Sequence, residues 1–190
     1  MVALAPESSS QPLQPQDIHL ITVLGTVSEA AASLPAIIAG SRSLAAADWQ
    51  PTSEPVANCL ARAEVAGLVA EAGLAPTGTE PLFTITERGR QALKALLVRS
   101  IPSSPGGFVR TCRAAKLRFL GHLDPMQQAW QLKELGRQRR AALDEIFGAR
   151  TIGTMDWRVR SGWIRHEIEQ IEREINWLDR IAADGGCRVT

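Results

Sequence analysis

Tyrosine is absent from this chain, while tryptophan occurs at Trp49, Trp130, Trp157, Trp163 and Trp177. Four of those five lie in the C-terminal third, so aromatic packing or stacking is concentrated there. Cysteine is scarce and scattered. Cys59, Cys112 and Cys187 form neither a C-x-x-C pair nor an even framework, which excludes a disulfide scaffold and favours free thiols in a reducing cytoplasm. No apolar run approaches the roughly 20 residues needed to span a bilayer. Met1-Val2-Ala3-Leu4-Ala5-Pro6 lacks the basic region and sustained apolar run of a secretory signal. A cytoplasmic protein without a membrane partner is expected. Gly106-Gly107 is not followed by the Lys-Ser/Thr of a phosphate loop, and His19, His122 and His166 stand in no metal-ligand spacing such as His-Glu-x-x-His. No catalytic residue, metal ligand or cofactor is assigned, and an enzyme is not expected.

The chain has an ordinary globular composition, 45% apolar and 22% charged, over 190 residues. That length holds one large domain or two small ones. The net charge of +1 conceals a split. Residues 1–104 carry 6 Lys/Arg against 9 Asp/Glu, and residues 105–190 carry 15 against 11, giving −3 and +4.

Residues 1–15, rich in Ser, Pro and Gln, read as a disordered tail. Ile18, Leu20, Ile21 and Leu24 mark a first helix, and Ser33 to Ile38 a second, with Ser33 as N-cap and Pro35 in its first turn. A connection from Gly40 to Pro51 leads to a third helix from Thr52-Ser53 to Ala66, with Val56, Leu60 and Ala63 at helical spacing. Gly67 breaks it. Leu68-Val69-Ala70 and Leu82-Phe83-Thr84-Ile85 read as strands about the turn Ala75–Pro81, and Thr86 opens a further helix through Leu93, Leu96 and Leu97. Helix, glycine, hairpin, helix is the order of a winged helix-turn-helix, which places one helix in the DNA major groove with a wing beside it.

Ile101 to Gly107 is a breaker and the expected boundary. Helices follow over Phe108 to Leu120 and from Asp124-Pro125 to Phe147. Ile164, Ile168, Ile171, Ile175, Leu178 and Ala182 then step by fours and threes, a heptad-type seam. It could pack within its own chain or pair with a second copy, and the second is favoured. The expected architecture is mainly α. It has a tail (1–15), a winged helix-turn-helix of three helices plus a β-hairpin wing (16–100) and a linker (101–107). A helical dimerisation region (108–183) and a C-terminal tail (184–190) complete it.

Three places carry a family likeness. They are Trp49–Ser53 leading into Leu60–Val69; Phe83-Thr84-Ile85-Thr86-Glu87-Arg88-Gly89-Arg90; and Lys116 to Pro125 together with Glu174-Ile175-Asn176-Trp177-Leu178. On these residues the chain resembles the PadR-like transcriptional regulators over most of residues 16–182. The resemblance implies a homodimer that binds double-stranded DNA, with C-terminal helices that build the dimer and often respond to a ligand.

The third helix offers Arg62 as a cation, Asn58 to read an adenine edge, and Thr52 or Ser53 for a phosphate near its N-terminus. Arg42 precedes that helix, Thr77 and Thr79 stand on the wing, and Arg88 follows it. Glu54 and Glu64 would repel phosphate unless turned away. Arg110, Arg113 and Lys116, and then Arg137, Arg139 and Arg140, read as solvated faces or partners of acids such as Glu134 and Asp144. Ile164, Ile168, Ile171, Ile175 and Leu178 are the dimerisation candidates. Trp130, Trp157 and Trp163 are candidates to stack on a small aromatic effector. Cys112 lies near Arg110 and Arg113, which could lower a thiol pKa, but a buried structural thiol is the favoured reading. The alternative function is a winged-helix protein-interaction module that has lost strong DNA binding. The acidic N-terminal half and a wing tip without Lys or Arg support it.

Overall fold

The computed structural model describes residues 11–76, 78–103, 106–149 and 157–184. Two compact units emerge, Met1–Leu123 and Asp124–Thr190. The first contains α1 (Pro15–Glu29), α2 (Leu34–Leu44), α3 (Ser53–Val65), β1 (Val69–Leu74), β2 (Pro81–Ile85), α4 (Glu87–Val98), α5 (Gly107–Arg118) and a 3-10 turn at Leu120–His122. The second contains α6 (Pro125–Ala149) and α7 (Trp157–Asp184).

Helix α1 is the hub of the first unit. Pro15 opens it, where a missing N–H costs nothing, and the Asp17 carboxylate accepts from the Gln14 N–H at 2.7 Å. Ile18, Ile21, Val23, Leu24 and Val27 are buried on more than one side, because α2, α3, α4, α5 and β2 all pack around it. The expected tail is shorter than 15 residues: Leu13 is fully buried and its N–H donates to the Ser100 carbonyl. Arg99 holds this arm by donating to the Gln11 and Pro12 carbonyls and pairing with Asp17 at 3.0 Å. Residues 1–10 lie outside the described part.

Helix α2 runs six residues beyond the expected Ile38. Gly40 is a poor helix former, costing about 1 kcal/mol against Ala. Here it allows close approach, since a Cβ would sit 3.1 Å from Thr26 Oγ1 of α1, and Ser41 is buried beside it. Packing outweighs propensity.

Helix α3 stops in a Schellman arrangement. Gly67 takes φ +68°, its N–H donates to Glu64 O at 2.8 Å, and the Leu68 N–H donates to Ala63 O at 2.8 Å. The chain then enters an antiparallel hairpin that pairs Val69 with Ile85, Ala70 with Thr84, Glu71 with Phe83 and Leu74 with Pro81, with a bulge between Glu71 and Leu74. Ala32 forms a further bridge to Phe83, tying the α1–α2 connection to the wing. Thr86 caps α4 by accepting the Gly89 N–H at 3.0 Å, and donates to Gly67 O at 2.8 Å. Three helices with a hairpin wing returning into a helix is the winged helix-turn-helix expected from the sequence.

The expected boundary at 101–107 differs from the observed division after Leu123. Helix α5 and the 3-10 turn belong to the first unit because they dock on α1. The Phe119 ring lies where a Gly25 Cβ would be, 2.5 Å away. His122 Nε2 is 3.0 Å from Ser28 Oγ, and Arg118 pairs with Glu29 at 2.7 Å. Breaker composition marks a turn here, and long-range packing decides the boundary.

In the second unit α6 packs along α7, joined by Arg139–Glu174 and Arg140–Asp179, each at 2.7 Å. Ile171, Ile175 and Leu178 are 3%, 9% and 1% exposed within the single chain, as are Leu132 and Leu135 of α6 at 4% and 1%. The seam expected for a second copy is therefore largely covered by its own chain. Ile164 and Ile168 remain half-buried. No helix of the described residues is long and apolar enough to cross a membrane.

Candidate nucleic-acid interface

Val56, Leu60 and Ala63 turn α3 inward toward the core. Their opposite face presents Glu54, Asn58, Ala61, Arg62 and Val65, all exposed. At about 100° per residue, Glu54, Asn58 and Arg62 follow one another along a line of i, i+4 steps. The side chains of these three make no hydrogen bond or ion pair with another described residue. At the start of the helix Thr52 is exposed in extended backbone (φ −74°, ψ 164°). Arg42 reaches over from α2 and donates to Ser53 Oγ at 3.0 Å. Five of the sequence-derived candidates, Arg42, Thr52, Ser53, Asn58 and Arg62, thus gather on α3 and its first turn. Arg88 and Thr79 are exposed on α4 and at the wing tip, and neither side chain hydrogen-bonds or ion-pairs with that group. Thr77 lies outside the described residues.

The two acidic residues of α3 separate. Glu64 is rotated toward the wing, where it and Glu80 flank a groove of about 350 Å³ floored by Leu34, Leu60, Pro81 and Phe83. Glu54 stays on the face of Asn58 and Arg62. Ten residues apart at about 100° per residue, the two glutamates fall on different faces of the helix.

Asn58 and Arg62 also edge a cleft of about 780 Å³ between α1 and α3, with Gln16, His19, Leu20 and Cys59 among its walls. Burial lowers the His19 pKa, its Nδ1 is buried without a hydrogen-bond partner, and its ring stacks on Trp49 at 5.7 Å. Burial pushes the Cys59 thiol up to about 11, against the pull of Arg62. Cys112 is pushed up to about 12 by burial, which outweighs Lys116 and Arg113. Both are resting thiols at neutral pH.

The cations of the C-terminal half are largely committed elsewhere. Arg110 pairs with Asp48 at 2.5 Å, and its guanidinium holds that exposed carboxyl below the usual range. Lys116 is 2% exposed and donates to the Leu97 and Arg99 carbonyls at the end of α4. Arg137 pairs with Glu134, as the sequence suggests, whereas Arg140 takes Asp179 rather than Asp144. Trp130 is half-buried on α6, and the side chains of Trp157 and Trp163 lie outside the described residues.

Solved structures of Bacillus subtilis PadR are similar to this chain. The complex with p-coumaric acid has 16% identity and a TM-score of 0.41, over 92% of this chain and 98% of that one. The complex with operator DNA has 18% identity and a TM-score of 0.41, over 87% and 98%. PadR alone has 16% identity and a TM-score of 0.40, over 93% and 99%. No curated protein sequence matches. A family model does match, over residues 9–182, that of a putative AphA-like transcriptional regulator. The chain belongs to the AphA-like putative transcriptional regulators.

Proposed function

We propose that this regulator binds duplex DNA as a homodimer, with α3 in the major groove and the Pro76–Pro81 wing along the backbone. The carrying observation is the exposed polar strip of α3, where the side chains of Asn58 and Arg62 hydrogen-bond and ion-pair with no other described residue and Arg42 stands over the first turn. Phosphate contact needs cations that are not already neutralised, and Arg62 and Arg88 meet that requirement. Asn58 matches the donor–acceptor pair of an adenine edge. For dimerisation, Ile164 and Ile168 continue the buried stripe of α7 and are its half-exposed part, available to a second copy.

Selection of bound fragments from sheared genomic DNA at physiological salt tests this, run beside the variant carrying both Asn58→Ala and Arg62→Ala. Recovery of a discrete, roughly palindromic site that the double variant loses is the expected result. No enrichment by a folded protein would overturn it. The groove between Glu64 and Glu80 supports a second reading, since an apolar floor with an acidic rim suits a basic peptide of a protein partner. Protein capture dependent on Glu64 and Glu80 would then be the next measurement.

A further inference from the structure

Two residues on the exposed face of α3 have no part in the fold. Val65 is 92% exposed at the last helical position, a β-branched side chain that gains nothing from burial and is a modest helix former. Glu54 is exposed in the first turn and touches no described partner. A carboxylate in the first turn favours the helix dipole, but any acid there would serve, and this one shares a face with Asn58 and Arg62. On a surface that approaches phosphates a carboxylate opposes binding, unless it lies over a base edge that donates a hydrogen bond. In the major groove, cytosine N4–H₂ is such a donor, and the thymine methyl is the apolar feature a short aliphatic side chain can meet.

Building on the DNA-binding reading above, we propose that Glu54 reads a cytosine and Val65 a thymine methyl, so that the face Glu54–Asn58–Val65 specifies part of each operator half-site. Glu54 and Asn58 are four residues apart, about 6 Å along the helix axis, which spans roughly two base-pair steps. The half-site therefore contains a C·G pair about two steps from an A·T pair, followed by a thymine further along the groove. The carboxylate lends specificity at the expense of nonspecific affinity. With a carboxylate on its exposed face, the winged helix becomes a weak general binder that holds best where a cytosine amino group receives Glu54.

The test is selection from a randomised duplex library using the full chain, Glu54→Ala, Glu54→Gln and Val65→Ala, with thermal melting of each to confirm the fold. The full chain is expected to enrich a half-site with the C and A at this spacing. Glu54→Ala loses the preference at the cytosine and keeps the rest of the motif, and Glu54→Gln moves that position toward adenine. Replacing the thymine by uracil, which removes only the methyl, weakens the full chain several-fold and leaves Val65→Ala unchanged. If the Glu54 and Val65 variants select the unaltered motif of the full chain, the base-reading assignment is overturned while DNA binding through the winged helix stands. If the full chain enriches nothing, both fall together. A role confined to the helix dipole would lower the melting temperature of both Glu54 variants without moving the selected base.

Discussion

The arginine cluster of α6 and the cations about α3 stand in different ionic surroundings. The C-terminal helix pair is rich in arginine, yet the cluster at Arg137, Arg139 and Arg140 is tied to Glu134, Glu174 and Asp179. The winged-helix unit has fewer cations, but Arg62 and Arg88 are exposed without an ionic partner among the described residues, and Arg42 is engaged only by a hydroxyl. A charge census over sequence halves assigns the basic character to residues 105–190. Four of those cations, Arg110, Arg113, Lys116 and Arg118, belong to the winged-helix unit, so the two units carry 10 Lys/Arg against 9 Asp/Glu and 11 against 11. A cation that has already met a carboxylate contributes little to a polyanion, because binding would first have to break that pair.

The largest expected effect tests whether the first unit is one cooperative body. Phe119 is fully buried with its ring against Gly25 of α1, so Phe119→Ala leaves a cavity at the junction of α1, α5 and the 3-10 turn. A loss of about 3–5 kcal/mol is expected in urea unfolding followed by circular dichroism. A loss under about 1 kcal/mol would mean that α5 is an appendage rather than part of that core.

The contrast between free and paired cations is sharpened by two double variants, the first removing one cation and the second two. Asn58→Ala with Arg62→Ala should weaken specific DNA binding by about 2–3 kcal/mol and reduce the salt slope by about 1. Arg137→Ala with Arg140→Ala should leave both unchanged within about twofold, since those guanidinium groups are neutralised. Equal losses, read by fluorescence anisotropy at several salt concentrations, would break the comparison.

Much of this architecture was legible in the sequence because its signals are local. Gly67 ending α3, Thr86 capping α4, and Pro125 opening α6 are each set by neighbours a few residues away. The gathering of Arg42 with Ser53 was half-legible, since both residues stood out but nothing local fixed the reach between them. Packing partners far apart in sequence were not legible. Phe119 seated on Gly25, Arg99 on the Gln11–Pro12 arm, and α6 covering Ile171 and Leu178 depend on tertiary contacts that no periodicity encodes. The seam of α7 illustrates the ambiguity, because a stripe of this kind satisfies a neighbour in the same chain as well as one in another.

Within the first unit, Lys116 is a cation put to structural use. Its ammonium serves the Leu97 and Arg99 carbonyls, acceptors at the C-terminal end of α4 that the helix itself does not satisfy. Lys116→Met keeps the stem and removes the donor. A loss of about 1–3 kcal/mol in the same urea assay is expected. An unchanged midpoint would show that water replaces the ammonium.

The smallest effect belongs to the pair that looks strongest on paper. Arg140 meets both oxygens of Asp179 at 2.7 Å, but the two side chains are 49% and 54% exposed. In that setting the attraction is weakened by solvent and offset by the entropy of holding two flexible side chains together. A double-mutant cycle of Arg140→Ala and Asp179→Ala should return a coupling of about 0.5 kcal/mol or less at physiological salt. The pair's effect on DNA binding would be its second signature. Asp179→Ala frees Arg140 without adding a charge to the strip on α3, so nonspecific affinity should rise slightly at low salt while the selected site stays the same. A coupling above about 1.5 kcal/mol would mean that this ion pair, rather than the apolar stripe of Ile171, Ile175 and Leu178, holds α6 to α7.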